Sequence, residues 1–359
     1  MKVDKIALNG FRNYEWETAE FGSGTNVISG HNAQGKTNLL EAVYMLSAGR
    51  SFRTRFDREL VGFGFSAAEI LADVTSHDRN QTIDIQLRPG YTKKILVNGV
   101  KKTAGELAQV INTVLFCPDD LNLIKEGAAV RRRLMDNAIC QIRPRYGEYL
   151  SEFNRLYEHK TRILKDWREK PSLLDTLDEF SDGMCRASAQ LIRYRASFAN
   201  RLDQAAAPIH REFSGEGEEL SICYSTVSTV RDVYGSAKEI YYDICEHQEK
   251  HRQAELESGQ CLTGAHKDDL EISINGRTAR SFASQGQTGT AALSIFLAET
   301  GEYPILLLDD VLSELDTKRQ EFVLNRIGGG QTLITCCEDE GISRRTGGRV
   351  LFVEKGRIR

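Results

Sequence analysis

The sequence predicts an α/β fold with mixed sheets, in which a helical insertion at residues 118–212 separates an N-terminal part, 1–117, from a C-terminal part, 213–359. Three observations carry that expectation. "TNVISG" reads as a strand feeding the glycine-rich "GHNAQGKTN", and "KTNLLEAVYMLSAG" continues as a helix with Leu39, Leu40, Val43 and Leu46 on one face. "AAEILADVTS", "QTIDIQLRPG" and "TKKILVNGVKK" alternate apolar and polar residues between turn signals, as antiparallel strands do. From about Leu121 to about Arg211 the pattern changes to long charged stretches with apolar residues every three or four positions, broken near "REKPS".

The remaining elements follow in order. "KVDKIALNGF" opens the chain as a strand, and "ELSICYSTV" returns to strand character after the insertion. Residues 236–258 read as a polar helix, and "DDLEISINGRTARSF" as a strand with a turn at Asn275-Gly276. "SQGQTGTAALS" then looks like a second glycine-bearing turn that opens a helix. "YPILLLDDV" is a short apolar run ending in two aspartates, and "QTLITCC" and "RVLFVEKGRI" read as the last strands.

Composition narrows the class. With 359 residues, 40% hydrophobic content and a net charge of −4, the chain can bury a sizeable core. No apolar run approaches the length of about 18 residues that spans a bilayer. The N-terminus "MKVDKIALNGFRNYEW" carries charges where a secretory signal needs an apolar stretch, so the expected location is the cytoplasm, with no membrane partner. The eight cysteines form no C-x-x-C pair and read as reduced, small side chains. Cys245, His247, His251 and Cys261 could gather a metal, but their spacing matches no standard site.

Local charge is more informative than the total. Between Lys125 and Lys170 there are twelve Lys/Arg against seven Asp/Glu, including Arg131, Arg132 and Arg133. "GRSFRTRFDR" at 49–58 adds four arginines, Arg50 and Arg53 among them, against one aspartate. Either stretch suits the phosphates of DNA, and either suits a solvated protein face.

"GHNAQGKT" fits G-x-x-x-x-G-K-[ST] between a strand and a helix, the context that motif requires. Gly30, His31, Asn32, Ala33, Gln34, Gly35, Lys36, Thr37 and Asn38 would cradle the phosphates of ATP with backbone N–H groups and the start of a helix. Lys36 would reach the β and γ phosphates, and Thr37 would offer its hydroxyl to Mg²⁺. "ILLLDD" supplies the carboxylates: Asp309 for the metal and Asp310 to orient or deprotonate an attacking water.

The order of "GHNAQGKT", a helical insertion, "SQGQ", "LLLDD" and "SELD" resembles the ATP-binding-cassette ATPases of the chromosome-maintenance and repair branch, with an SMC/Rad50-like head of two lobes. "LNGFRNYEWETAEF", "AGRSFRT", "FCPDDLNLIKEGAAVRRRLMD", "LTGAHKDDLEISING" and "TGEYPILLLDDVLSELDTKRQ" together look like the RecF family of recombination mediators. The resemblance spans nearly the whole chain and answers why it carries two turns. It implies that Ser284, Gly286 and Gln287 bind the γ-phosphate of ATP held by another copy, with Asp316 of "SELD" in the same interface and Thr335 at the switch position. It further implies an ATP-driven homodimer on gapped duplex DNA or a single/double-strand junction, weak DNA-stimulated hydrolysis, and roles in replication and the SOS response. RecR and RecO are the implied partners in loading RecA onto DNA coated with single-strand-binding protein.

Departures from the family pattern cluster around the second turn. Thr288-Gly289 stands where the family usually has Gln-Arg, the helix runs into "TGEYP" about two turns early, and "GAHKDD" replaces "GPHRDD". Glycine there costs roughly 1 kcal/mol against alanine in a helix interior. Cys336 and Cys337 follow Thr335 where polar residues are usual. A hydrolysing clamp, an ATP-binding scaffold with poor turnover and an ATPase component of another DNA defence system are the readings these motifs leave open.

Overall fold

The alternation of buried Ile6 and Leu8 with less buried neighbours turns one face of the first strand inward, and the same period-two logic builds most of the N-terminal region. A computed structural model describes residues 1–76, 78–215, 217–299, 305–327, 329–337 and 341–359. In chain order the first elements are β1 (Lys2–Phe11), β2 (Tyr14–Glu20), β3 (Thr25–Ser29), α1 (Lys36–Ala48), β4 (Ala68–Ser76), β5 (Arg79–Leu87), β6 (Lys94–Val97), β7 (Val100–Lys102), α2 (Ala104–Leu107) and β8 (Thr113–Phe116). The middle holds α3 (Ala128–Ile142), α4 (Pro144–Asp166), α5 (Leu177–Ser214), β9 (Leu220–Ser225), α6 (Ala237–Ser258), β10 (Asp269–Ile274), β11 (Arg277–Thr278), α7 (Ala279–Phe282) and α8 (Gln285–Glu299). The last are β12 (Ile305–Leu308), α9 (Thr317–Arg326), β13 (Thr332–Cys336), α10 (Ile342–Thr346), β14 (Arg349–Glu354) and β15 (Arg357–Ile358).

Two compact units result, residues 1–121 with 299–359, and residues 122–298. The first has two sheets. An antiparallel sheet has the order β2-β1-β4-β5-β6-β7; a second has the order β15-β14-β3-β13-β12-β8, parallel from β14 to β8. Leu39, Leu40, Val43 and Leu46 of α1 share one core with Ile70 and Ile85 of the antiparallel sheet and with Ile28, Leu307 and Leu333 of the parallel one. Each such side chain contributes about 1.5–3 kcal/mol by leaving water. Because β3, β13 and β12 lie side by side, the turn after β3 and the carboxylates after β12 emerge at the same end of the sheet.

In the second unit α4 and α5 pack together, α6 packs on α5, and the sheet β11-β10-β9 covers α5. Phe153, Met184, Leu191, Ile222, Ile244 and Leu270 are part of its core. A buried polar cluster ties these elements: Arg195 donates to Asp268 at 2.9 Å, to the carbonyl of Ala265 at 2.7 Å and to Asp136 at 2.9 Å. Tyr146 donates to Asp136, Tyr224 to Asp268, and Thr226 to Asp268 at 2.6 Å. Charges so deep persist only when paired and hydrogen-bonded, and here each carboxylate meets the Arg195 guanidinium and at least one hydroxyl. Burial raises the Asp268 pKa, and Arg195 opposes it.

Several elements differ from the sequence-based expectation. Residues 213–298, grouped from the sequence with the C-terminal part, pack with the helices, because Leu220, Ile222 and Tyr224 on the inward face of β9 lie on α5. The insertion holds three helices, α3, α4 and α5. β2 and β8 carry little strand signal in the sequence: β2 has few buried positions, and β8 is four residues long. The early end of the helix at "TGEYP" falls on residues 300–304, which lie outside the described residues.

Candidate nucleotide-binding site

Glycine is required where the turn leaves β3. At Gly30, φ is 155° and a Cβ would approach the Val353 carbonyl oxygen to 2.2 Å; at Gly35, φ is 122° and a Cβ would meet Asn13 and Tyr14 at 2.8–3.0 Å. The loop is held from outside. Tyr14 donates to the Gly35 carbonyl at 2.9 Å, Asn13 Nδ2 to the Gln34 carbonyl at 2.8 Å, and the Gly356 N–H to the same Gln34 oxygen at 3.0 Å. The Lys355 N–H reaches Gln34 Oε1 at 2.7 Å. Ala33 takes the left-handed conformation, while His31 and Asn32 face solvent. Lys36 is 4% exposed and its ammonium donates to the Gly30 carbonyl at 2.7 Å and the His31 carbonyl at 3.2 Å. An ammonium and the orphan N–H groups at the start of α1 therefore converge on one loop, the chemistry that holds phosphate.

The acidic side comes from β12. Buried Asp309 accepts from Thr37 Oγ1 at 3.0 Å and from Thr335 Oγ1 at 2.9 Å, and the Asp310 N–H donates to Thr335 Oγ1 at 2.8 Å. Burial raises the Asp309 pKa, the two hydroxyls oppose the rise, and neighbouring Asp310 adds to it. A divalent cation would relieve that cost, and a hydroxyl beside a carboxylate is a hard oxygen set of the kind Mg²⁺ takes. Asn32, Ala33, Lys36, Thr37, Asn38, Arg53 and Asp310 line an adjoining cavity of about 370 Å³.

Arg53 reaches this cavity because its segment is pinned to α1. Its guanidinium donates to Asn38 Oδ1 at 2.7 Å and lies 3.7 Å from buried Glu41. Glu41 also accepts from Arg12 Nε at 2.8 Å and Nη2 at 2.7 Å, and from Ser51 Oγ at 2.5 Å. Arg53, expected on DNA, thus lines the cavity beside Lys36 and Thr37. Arg50 is exposed. Asp316 caps α9 through the Arg319 N–H at 2.9 Å and is exposed.

The second turn lies in the other unit. Ser284 precedes α8 and forms a reciprocal cap with Gln287: the Ser284 N–H donates to Gln287 Oε1 at 2.8 Å and the Gln287 N–H to Ser284 Oγ at 3.2 Å. Gln287 Nε2 donates to Glu218 at 2.8 Å. Ser284 and Gly286 are exposed, Thr288 is buried, and a Cβ at Gly289 would meet open space.

The arginine triplet divides. Arg131 is 4% exposed, pairs with Asp269 through two bonds of 2.7 and 2.8 Å, and donates to the Glu126 carbonyl at 2.7 Å. That removes it from the DNA candidates: the guanidinium is spent on fastening α3 to β10. Arg132 is half-buried on the Asp268 carbonyl at 2.6 Å, and Arg133 is exposed. His247 stacks on His251 at 4.0 Å and bonds Thr263 at 3.0 Å; among the described residues no three His, Cys, Asp or Glu side chains gather in a metal-binding group.

Reading the motif alone missed Asn13, Tyr14, Glu41 and the backbone of Lys355 and Gly356, all of which shape the loop or its arginine. Asn13 and Tyr14 lie in the "FRNY" block, which was visible only as part of a resemblance.

Residues 2–352 match the RecF/RecN/SMC N-terminal domain family. The chain is similar to the DNA replication and repair protein RecF of Acetivibrio thermocellus, 38% identical across 99% of both chains. A solved structure of the recombination mediator protein RecF-ATPrS in the RecFOR pathway superposes with a TM-score of 0.92 at 32% identity, over 99% of this chain and 97% of that one. The Smc head domain of Pyrococcus furiosus, bound to the C-terminal domain of ScpA, shares the fold at a TM-score of 0.58 and 16% identity, over 99% of this chain and 95% of that one.

Proposed function

Because the chain belongs to the RecF family of DNA replication and repair proteins, we propose that it is an ATP-switched, DNA-binding protein of recombinational gap repair and replication-fork maintenance. The observation that carries this reading is the preformed loop with Thr37 and Asp309 joined at 3.0 Å beside buried Lys36. Likeness to structures named for RecF with ATP and ATPrS supports ATP as the ligand.

Lys36 and the loop N–H groups hold the phosphates, and Arg53, which lines the same cavity, adds a second cation to it. Thr37 and Asp309 would hold Mg²⁺, which when bound supplies charge neutralisation at the phosphate oxygens. Asp310 orients or deprotonates the attacking water, and Thr335 fixes both aspartates through one hydroxyl. Exposed Ser284 and Gly286, with Gln287, contact the nucleotide of a second copy, so ATP drives a homodimer with Asp316 at its interface. Gapped duplex DNA, RecR and RecO are the partners, and loading of RecA on DNA coated with single-strand-binding protein is the outcome.

An ATP-bound scaffold with little turnover is the second reading. It is favoured by Thr288-Gly289, which leaves no charge at the fourth and fifth positions of α8. Sedimentation with ATP and Mg²⁺, with and without gapped DNA, run beside phosphate release, separates them. A dimer that forms with ATP and decays with phosphate release supports the clamp; a persistent dimer without release supports the scaffold. A monomer under every condition defeats both.

A further inference from the structure

Residues 55–65 and 88–94 of the first unit put an unusual set of side chains at one end of the antiparallel sheet. Phe63 is 105% exposed, Tyr91 71% and Phe56 56%. Soluble proteins expose single large rings freely, but three on two neighbouring segments that also carry cations call for a ligand. The segments are neighbours: Asp57 Oδ1 and Lys93 Nζ pair at 3.1 Å, and Ala68 at the start of β4 faces Leu87 at the end of β5. The Arg58 guanidinium lies 5.0 Å from the Phe56 ring and that of Arg88 5.6 Å from Tyr91. Five basic residues, Arg55, Arg58, Arg88, Lys93 and Lys94, stand against Asp57 and Glu59 in these two stretches.

We propose that this ring-and-arginine ridge binds single-stranded nucleic acid, with unpaired bases stacked on Phe56, Phe63 and Tyr91 and backbone phosphates on the interleaved arginines. It rests on the DNA reading above and deepens it, by assigning the unpaired strand to a place apart from the arginine triplet. The excess of positive charge favours a polyanion over an apolar protein segment, and exposed rings beside arginines suit bases of any sequence. The segment is not loose. Ser51 and Arg53 are fixed on Glu41, and the Phe52 ring packs edge-on against Tyr44 at 5.5 Å, so the stretch that carries Phe56 begins at the wall of the phosphate cavity.

The test uses the full chain with a slowly hydrolysed ATP analogue and Mg²⁺, and measures anisotropy of a labelled oligothymidylate and of a duplex of equal length. Phe56→Leu with Tyr91→Leu keeps apolar bulk but removes stacking. The expected result is about tenfold or more weaker binding of the oligothymidylate, with duplex and ATP affinities kept. Phe63→Leu alone, at a ring outside any packing, gives the same reading should the double variant lose ATP binding. Unchanged oligothymidylate affinity overturns the proposal and leaves the rings to an apolar protein surface; equal loss on both DNAs overturns it as a single-strand site. Wild-type protein that binds duplex but not oligothymidylate sinks this proposal alone, and wild-type protein that binds neither sinks the DNA reading with it.

Discussion

The turn at residues 30–38 is held by the β1–β2 turn, the end of β12 and the β14–β15 hairpin, whereas the turn at 284–287 is held by its own reciprocal cap and by Glu218. The first has its lysine buried and its glycines fixed by close backbone and side-chain neighbours. The second leaves Ser284, Gln285 and Gly286 in solvent, and its unit spends its buried charges elsewhere, on Arg195, Asp136 and Asp268. A site that must hold a charged ligand alone needs preorganised donors on every side. One that meets its ligand only when another surface arrives can stay open.

Four changes would break or sharpen that contrast. Arg195→Met leaves Asp268 and Asp136 buried without their cation, so the second unit should lose roughly 3–5 kcal/mol of stability in urea unfolding. ATP affinity measured by calorimetry should hold; if it fell in parallel, the two turns would not be independently supported. Lys36→Ala removes charge-assisted bonds of about 1.5–3 kcal/mol each. ATP should then bind at least about tenfold more weakly and the ATP-dependent dimer should vanish, whereas a variant that dimerised normally with ATP would refute the switch.

Acid should act on the second unit first. Burial holds the His266 imidazole neutral, with its pKa lowered from 6.5 to about 4. The unfolded chain takes up the proton first, so stability falls as pH drops from about 6.5 towards 4, by at most about 3 kcal/mol. Thermal melts of the wild type and His266→Asn should converge as the acid end is approached. The smallest effect belongs to Gly289→Ala: with open space around it, α8 should gain about 0.5–1 kcal/mol. If the ATP-dependent dimer also became tighter, flexibility at the start of α8 would be what limits the second turn.

What the sequence showed was local. The strand-turn-helix at 25–48 and the carboxylates after an apolar run were legible because periodicity, glycine spacing and charge all fall within a few residues. The pairing of Thr37 with Asp309, or of Gly35 with Tyr14, depends on strand order across a sheet whose members lie far apart in the chain. Arg131 shows the opposite limit. In a run of three arginines nothing distinguishes the buried one from the exposed Arg133, because the partner, Asp269, is 138 positions away. β8 escaped for a third reason: four residues hold too little pattern to separate strand from loop.

The Gly356 N–H that closes the loop on Gln34, and the Val353 carbonyl against Gly30, come from a hairpin 322 and 323 residues downstream of the groups they meet. On a ribosome that distance becomes time. Residues 122–298 are contiguous and can fold as they emerge, and β1, β2 and β4–β7 pair among themselves, but β3 and β8 must wait for β12–β14 to be made. The nascent chain therefore carries an unfinished glycine loop and unpaired edges on β3 and β8 until that hairpin has been made.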